Sequence, residues 1–220
     1  MSQKDIFLKS EGDAWFDRNE KAVANYNLPE DDLLLCEIIE IHKQFGGEVL
    51  KILEIGCGDG TRLAWLQNNL NIDCYGLEPS SKAVASACKK GLKVYKGSAD
   101  ILPFDDKSFD IVIFGFCLYL CDREDLFLIS KEADRVLRSS GWLMILDFFS
   151  PMPFAKKYHH LQGIHSYKMD YRTLFTWHPD YECVTHTLRS HHDAGGGYSD
   201  NKDEWVALSN IRKFKTDIQI

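Results

Sequence analysis

The sequence predicts an α/β fold built on a parallel sheet with helices over both faces. Three observations carry this. Five short apolar runs, at residues 49–55, 73–78, 93–96, 109–114 and 142–148, alternate with stretches of helical periodicity. The longest runs are apolar on nearly every residue, the pattern of strands buried on both faces. Gly, Pro, Ser or Asn marks the junctions, residue types that punctuate regular structure.

The elements follow in order. Residues 49–55 form a buried strand closed by Gly56-Cys-Gly-Asp-Gly60. Residues 61–69 read as a helix with Leu63, Leu66 and Leu70 on one side. Residues 73–78 are the second strand. Ser80 is placed to cap a helix that runs to about Lys90 and stops at Gly91. Residues 93–96 make a short third strand, and residues 109–114 the fourth and most apolar. Residues 123–138 read as a helix ended by the turn Ser139-Ser140-Gly141. Residues 142–148 are the fifth strand. Right-handed crossovers between parallel strands leave a ligand crevice at the strands' carboxyl ends.

Composition narrows the function classes. The chain has 220 residues, 45% apolar and 12% aromatic, enough to fill the core of one domain or one domain with an appendage. Its longest apolar stretch, residues 111–121, is far short of the roughly 20 residues of a membrane helix. Residues 1–10 lack a secretory apolar core. A net charge of -7 argues against holding nucleic acid by bulk charge. The 7 cysteines are odd in number and include no C-x-x-C pair. That disfavours a disulfide framework or zinc ribbon, and predicts a cytoplasmic protein whose cysteines are mostly small buried hydrophobes.

Composition changes near Pro151 and Pro153. Residues 1–150 carry 17 basic and 25 acidic side chains, residues 151–220 carry 9 and 8. Seven of the 8 histidines follow Tyr158: His159, His160, His165, His178, His186, His191 and His192. Phe154, Tyr158, Tyr167, Tyr171, Phe175, Trp177 and Tyr181 crowd the same region. Gly195-Gly196-Gly197 reads as a flexible turn.

The turns after strands one to four point to the ligand. In Glu54-Ile-Gly56-Cys57-Gly58-Asp-Gly60 alternating glycines let backbone approach a ligand closely and permit positive φ. A dinucleotide fingerprint would put its third small residue at Thr61; the third glycine here is Gly60. Glu78, ending strand two before Pro79, can accept both hydroxyl hydrogens of a ribose, each bond worth roughly 1.5–3 kcal/mol. In Gly97-Ser-Ala99-Asp100 an acid stands beside Ile101 and Leu102, which suits an adenine. The fourth turn, Gly115-Phe116-Cys-Leu-Tyr119-Leu120, offers apolar groups to close over the ligand.

This ordered set, with Phe109-Asp110 and Arg135-Val-Leu-Arg-Ser-Ser-Gly141, resembles the class I S-adenosylmethionine-dependent methyltransferases over roughly residues 45–150. The resemblance implies a Rossmann-like, doubly wound seven-stranded sheet, mostly parallel with the last strand antiparallel. Strands six and seven would be residues 181–189 and 204–213. It implies S-adenosylmethionine as cofactor. Gly56, Cys57 and Gly58 would face its methionine part, Glu78 and Pro79 its ribose, and Ala99, Asp100 and Ile101 its adenine. Glu54 would steer its amino group, and Phe116 would lie near the reactive carbon. Residues 1–44 would form a helical lid or cap, with Trp15 and Phe16 over the cofactor. Residues 45–220 would be the catalytic domain, carrying an acceptor-binding insert at about 151–180. The aromatic, histidine-rich insert is similar to that of small methyltransferases of polysaccharide biosynthesis.

Transfer to a hydroxyl requires alignment of a lone pair with the S–CH₃ bond and removal of a proton. Asp147 ends strand five. His159 or His160 is the expected base, with Asp147 close by, and His165, Asp170, Tyr171 and Tyr119 the expected acceptor contacts. No H-E-x-x-H or comparable metal-ligand spacing occurs. The fourth turn lacks the Asn/Asp-Pro-Pro-aromatic sequence of amide and adenine methyltransferases, and the metal-binding Asp of catechol enzymes. A small molecule or sugar methylated on oxygen is the reading that remains. Two others stay open: a non-catalytic S-adenosylmethionine-binding regulator and a nicotinamide-dependent oxidoreductase.

Overall fold

The computed structural model describes residues 2–24, 27–46, 48–191 and 199–214; His192 and the Gly195-Gly196-Gly197 turn lie outside them. Helices α1 (Gln3–Ile6) and α2 (Gly12–Ala24) are joined by a π-helical turn, Phe7–Glu11, and α3 spans Leu33–Lys43. Then β1 (Lys51–Ile55), α4 (Thr61–Leu70), β2 (Asp73–Glu78), α5 (Ser81–Lys89), β3 (Lys93–Lys96), β4 (Phe109–Gly115), α6 (Leu126–Val136) and β5 (Leu137–Phe148) alternate. A hairpin of β6 (Phe154–Lys157) and β7 (His165–Lys168), the short α7 (Thr173–Thr176), β8 (Tyr181–Ser190) and β9 (Trp205–Lys213) complete the chain.

The seven-stranded sheet has the order β3-β2-β1-β4-β5-β9-β8. The first five strands are mutually parallel, and β9 runs antiparallel to both β5 and β8. Strand alternation divides the core. Ile52, Ile111 and Ile113 face Leu63 and Leu66 of α4, together with Leu34, Leu35, Ile38 and Ile41 of α3. On the other face Leu53, Ile55, Val112 and Phe114 pack with Ile129, Ala133 and Val136 of α6. Strand order reverses where β1 sits between β2 and β4, and there the carboxyl ends open a crevice.

Several expectations change. Helix α6 is shorter than residues 123–138: a 3₁₀ turn, Arg123–Asp125, precedes it, and it stops at Val136. Leu137 leaves in extended conformation to pair with Phe109, while the Lys213 ammonium takes the carbonyls of Asp134 and Leu137 at 2.8 and 3.1 Å. Those carbonyls at the helix end thus gain a donor that sequence-local reasoning does not see. Helix α3 is part of the sheet's cover: burying its four apolar side chains is worth about 1.5–3 kcal/mol each. The earlier segment touches the second and third turns through Lys4 on Asp100, Gly12 against Pro79 and Ser80, and Asp13 on Ser80 and Lys82. Cys57 and Cys74 are buried as expected, but Cys36 and Cys88 are exposed.

Candidate functional site

The first turn is open where a ligand would need it. Gly56 has φ +77°, and a Cβ there would stand 2.6 Å from the Cβ of Cys117. Its bare Cα therefore lets the turns after β1 and β4 touch. Gly58 has φ +56°, and a Cβ there would meet nothing within 4 Å. Cys57 points the other way: its side chain is buried in the core beneath Gly76, and burial pushes its thiol well up. The turn therefore offers backbone, not a thiol, to the crevice.

Glu54 is 3% exposed in β1. Its Oε1 pairs with Arg62 Nη1, while Arg62 Nε donates to both oxygens of Asp32 at 3.1 and 2.9 Å. Asp32 in turn caps α3 by accepting from Leu35 N–H. Gly115 leaves room for this chain, because a Cβ there would lie 3.1 Å from Arg62 Nη1 and 3.2 Å from Glu54 Oε1. Glu54 Oε2 is buried and, among the described residues, has no hydrogen-bond partner. Burial pushes the Glu54 carboxyl up to about 7, against the pull of Arg62.

Glu78 joins the first and second turns. Its Oε2 accepts from Gly58 N–H and its Oε1 from Ser80 N–H, both at 2.9 Å. Burial raises this carboxyl to about 7 as well. Each oxygen keeps acceptor capacity for a further donor. The start of α2 passes over Pro79 and Ser80: a Cβ on Gly12 would lie 3.3 Å from Pro79 C and 3.1 Å from Ser80 N. Asp13 Oδ1 accepts there from Ser80 Oγ at 2.7 Å and from Lys82 N–H at 3.0 Å.

In the third turn Asp100 is 7% exposed, accepting from Ser98 Oγ and from Lys4 Nζ, each at 2.6 Å. Lys4 also pairs with Asp125 at 3.0 Å. Ala99 is buried and Ile101 exposed, whereas Leu102 is buried in the core rather than set beside Ile101. In the fourth turn Phe116 holds φ +52°, sparsely populated for a residue with a side chain. Its N–H donates to Leu146 C=O at 2.8 Å, and its ring lies 5.5 Å from Phe148. Tyr119 is buried, edge-on to Phe148 at 4.9 Å.

Asp147 lies beneath this turn. It is 2% exposed, Oδ2 accepting from Leu118 N–H and Oδ1 from Phe148 N–H at 2.8 Å each. Burial pushes it up to about 7. Asp147, Asp170 and Tyr171 meet around a cavity of about 10 Å³, the size of one water. Asp170 is engaged by Arg172, and Tyr171 is buried with its hydroxyl on Tyr167 C=O at 3.0 Å. His165 sits at the start of β7, its backbone bracketed by the Gln3 amide at 2.6 and 3.1 Å. His159 and His160 are exposed in the β6–β7 connection, where His160 packs edge-on to Tyr158. Among the described histidines, the exposed His191 is brought to the fourth turn, its ring 5.5 Å from Phe116 and 4.9 Å from Phe148.

Gln3, Lys4, Arg62 and His191 were not singled out by sequence reasoning. Arg62 left a trace, being eight residues after Glu54 on the helix the glycine turn opens. Lys4 and Gln3 left none, since their partners lie 96 to 162 residues away.

Residues 53–145 match the family model described as "Methyltransferase domain". The chain is 35% identical over 103 residues to a fatty-acid O-methyltransferase of Mycolicibacterium smegmatis, covering 44% of this chain and 36% of the relative. It is 33% identical over 112 residues to a demethylmenaquinone methyltransferase of Chlorobaculum tepidum, covering 50% and 46%. The match thus spans less than half the length of either relative. In fold it superposes on the 1,6-didemethyltoxoflavin-N1-methyltransferase of Burkholderia thailandensis with TM-score 0.69, over 96% of this chain and 89% of the other, at 13% identity.

Proposed function

From the premise that residues 53–145 are a methyltransferase domain of the class I S-adenosylmethionine-dependent family, we propose that this protein transfers a methyl group to an oxygen of a small-molecule acceptor. The observation that supports this most is the unpartnered, buried Oε2 of Glu54, set in β1 directly before the open face of Gly58. A buried acceptor without a donor costs roughly 1–3 kcal/mol unless a ligand supplies one. The cofactor's ammonium group is such a donor.

The residues present fit the cofactor. Gly56 and Gly58 give its methionine part a wall of bare backbone. Glu54 takes the ammonium, Glu78 the ribose hydroxyls, and Asp100 with Ala99 the adenine edge, under the exposed side chain of Ile101. Bound there, S-adenosylmethionine supplies a methyl group already activated by its sulfonium charge. The protein's task is alignment and exclusion of water, worth roughly 7–11 kcal/mol when geometry is ideal. Phe116, Phe148 and Tyr119 form the apolar wall for that step, and Asp147 positions the wall through the Leu118 amide. His191, exposed and with its ring tilted against those of Phe116 and Phe148, accepts the acceptor's hydroxyl proton; His159 and His160 serve the insert's outer surface. The names of the relatives, one acting on a fatty acid and one on a demethylated quinone, are consistent with a small apolar acceptor.

Isothermal titration with S-adenosylmethionine and NADH, followed by measurement of S-adenosylhomocysteine released over a panel of hydroxy and carboxylic acceptors, tests the reading. Binding of the first cofactor alone is expected, with Glu54→Gln weakening it and His191→Asn slowing turnover without changing cofactor affinity. Binding of NADH alone would overturn it. Cofactor binding without product from any acceptor would leave a regulator rather than an enzyme.

A further inference from the structure

A second cavity, of about 210 Å³, lies between the β6–β7 hairpin and the segment after the fourth turn. Its walls are Pro153, Phe154, Ala155, Tyr167 and Met169, with Arg123 and Lys168 as its charged members. A dry apolar cavity of about 150 Å³ accepts a benzene molecule. The space here is larger but open to solvent on one side, so by volume it admits a single ring or a short acyl chain bearing one polar group.

The charge of that group follows from the two cations. Arg123 Nη2 donates to the carbonyls of Leu118 and Cys121 at 2.7 and 2.8 Å, and its guanidinium lies 4.1 Å from the centroid of the Tyr167 ring. Nη1 reaches only Met169 Sδ and the Tyr171 hydroxyl, at 3.4 and 3.5 Å. Nε is buried without a partner, and among the described residues no carboxylate comes within 4 Å of this guanidinium. Of the acids beside it in sequence, Asp122 and Asp125 are turned to the Gln3 and Lys4 amides and to the Lys4 ammonium, and Glu124 is exposed. Lys168 is similar: its ammonium rests on Asp203 C=O and 4.6 Å from the centroid of the Phe148 ring, while the Asp203 carboxylate pairs with Lys156. Carbonyl dipoles and ring faces thus hold two positive charges beside an apolar space. A buried charge is costly unless paired.

The cavity is also close to the proposed chemistry. Met169 lines both it and the small cavity over Asp147. Lys168 lies on Phe148, the ring that packs against Phe116, Tyr119 and His191. We propose that the Arg123 cavity is the acceptor's anchoring subsite, and that it selects small carboxylates carrying one ring or a short apolar chain. This rests on the methyltransferase reading for its consequence, but its binding test does not.

The test is titration of the full chain with benzoate and hexanoate, and with the neutral benzyl alcohol, each in the presence and absence of saturating S-adenosylhomocysteine. Binding of the two carboxylates, with benzyl alcohol weaker by about tenfold or more, is the expected result. Arg123→Met should abolish the preference for carboxylate, and Arg123→Lys should keep part of it. Because Arg123 also ties down the Leu118 and Cys121 carbonyls, a second variant acts from the exposed side: Ala155→Phe should fill the cavity and lose benzoate while both carbonyl bonds remain. S-adenosylhomocysteine affinity should be unchanged in Ala155→Phe, so failure of the cofactor reading would show separately. Equal affinity for benzyl alcohol and benzoate, or benzoate binding that survives Ala155→Phe, would overturn the proposal, as would no binding of either carboxylate.

Discussion

At the scale of single residues the crevice depends on what is missing as much as on what is present. Gly58 lacks a Cβ where the space is open, and its φ of +56° is one that side chains rarely adopt. Gly58→Arg should leave the fold in place, at a backbone cost of about 1–2 kcal/mol. Its side chain would fill the cofactor's path, so S-adenosylhomocysteine affinity should be lost. Circular dichroism and titration calorimetry on the same sample check both halves. Asp147 shows the opposite logic. Sequence position at the end of β5 marks it as a candidate acid, yet its two oxygens receive backbone N–H groups, one from Leu118 in the turn above and one from its own neighbour Phe148. Asp147→Asn would turn an acceptor into a donor facing one of those amides. A loss of roughly 1–3 kcal/mol in urea unfolding is expected.

At the scale of elements the N-terminal segment ties the turns together. Gln3 bonds to Leu120 C=O and to both backbone groups of His165, and Asp13 caps α5 through Ser80 and Lys82. Lys4 clamps Asp100 and Asp125, and these bonds raise its own pKa. Lys4 therefore occupies one oxygen of the acid assigned to the adenine, leaving Oδ1, now on Ser98, as the other acceptor. Lys4→Met removes the clamp without touching β1 or its glycine turn. Faster release of S-adenosylhomocysteine is the expected outcome in stopped-flow fluorescence, by about three- to tenfold for a partly buried pair. An unchanged release rate would mean that the segment covers the crevice without latching it.

At the scale of the whole molecule, three buried carboxyls set the pH response. Glu54, Glu78 and Asp147 are pushed to about 7 by burial, while carboxyls of an unfolded chain titrate near about 4. Between those values the native state holds more protons than the unfolded one, so stability falls as pH rises, by up to roughly 1.4 kcal/mol per pH unit for each linked proton. The slope vanishes once pH has passed the native values. On the acid side the buried Asp100, the half-buried Asp59 and the exposed Asp134 are lowered by bonds from Lys4, Lys90 and Lys213, so their protonation destabilises the fold as pH drops below about 4. Urea midpoints should be highest between about pH 4 and 5 and decline toward pH 8. Glu78→Gln should flatten that decline whatever its effect on the maximum.

Much of this molecule was legible in its sequence because the information is local. Strands β1 to β5, the glycine turn, and the acids Glu54, Glu78 and Asp100 follow from runs of apolar residues and from turn chemistry a few residues long. The existence of β8 and the antiparallel β9 came through family resemblance rather than periodicity. Three-dimensional placement decided the rest, since it depends on contacts between distant segments. Leu137 leaves its helix because Phe109 and Lys213 claim it. Of seven clustered histidines, His191 reaches Phe116 because β8 ends beside the fourth turn. Among the described residues Arg123 has no carboxylate partner, because Asp122 and Asp125 turn toward Gln3 and Lys4 and Glu124 is exposed. Propensity and pattern act over a few bonds, whereas the pairing of buried charges is settled only when the chain has closed on itself.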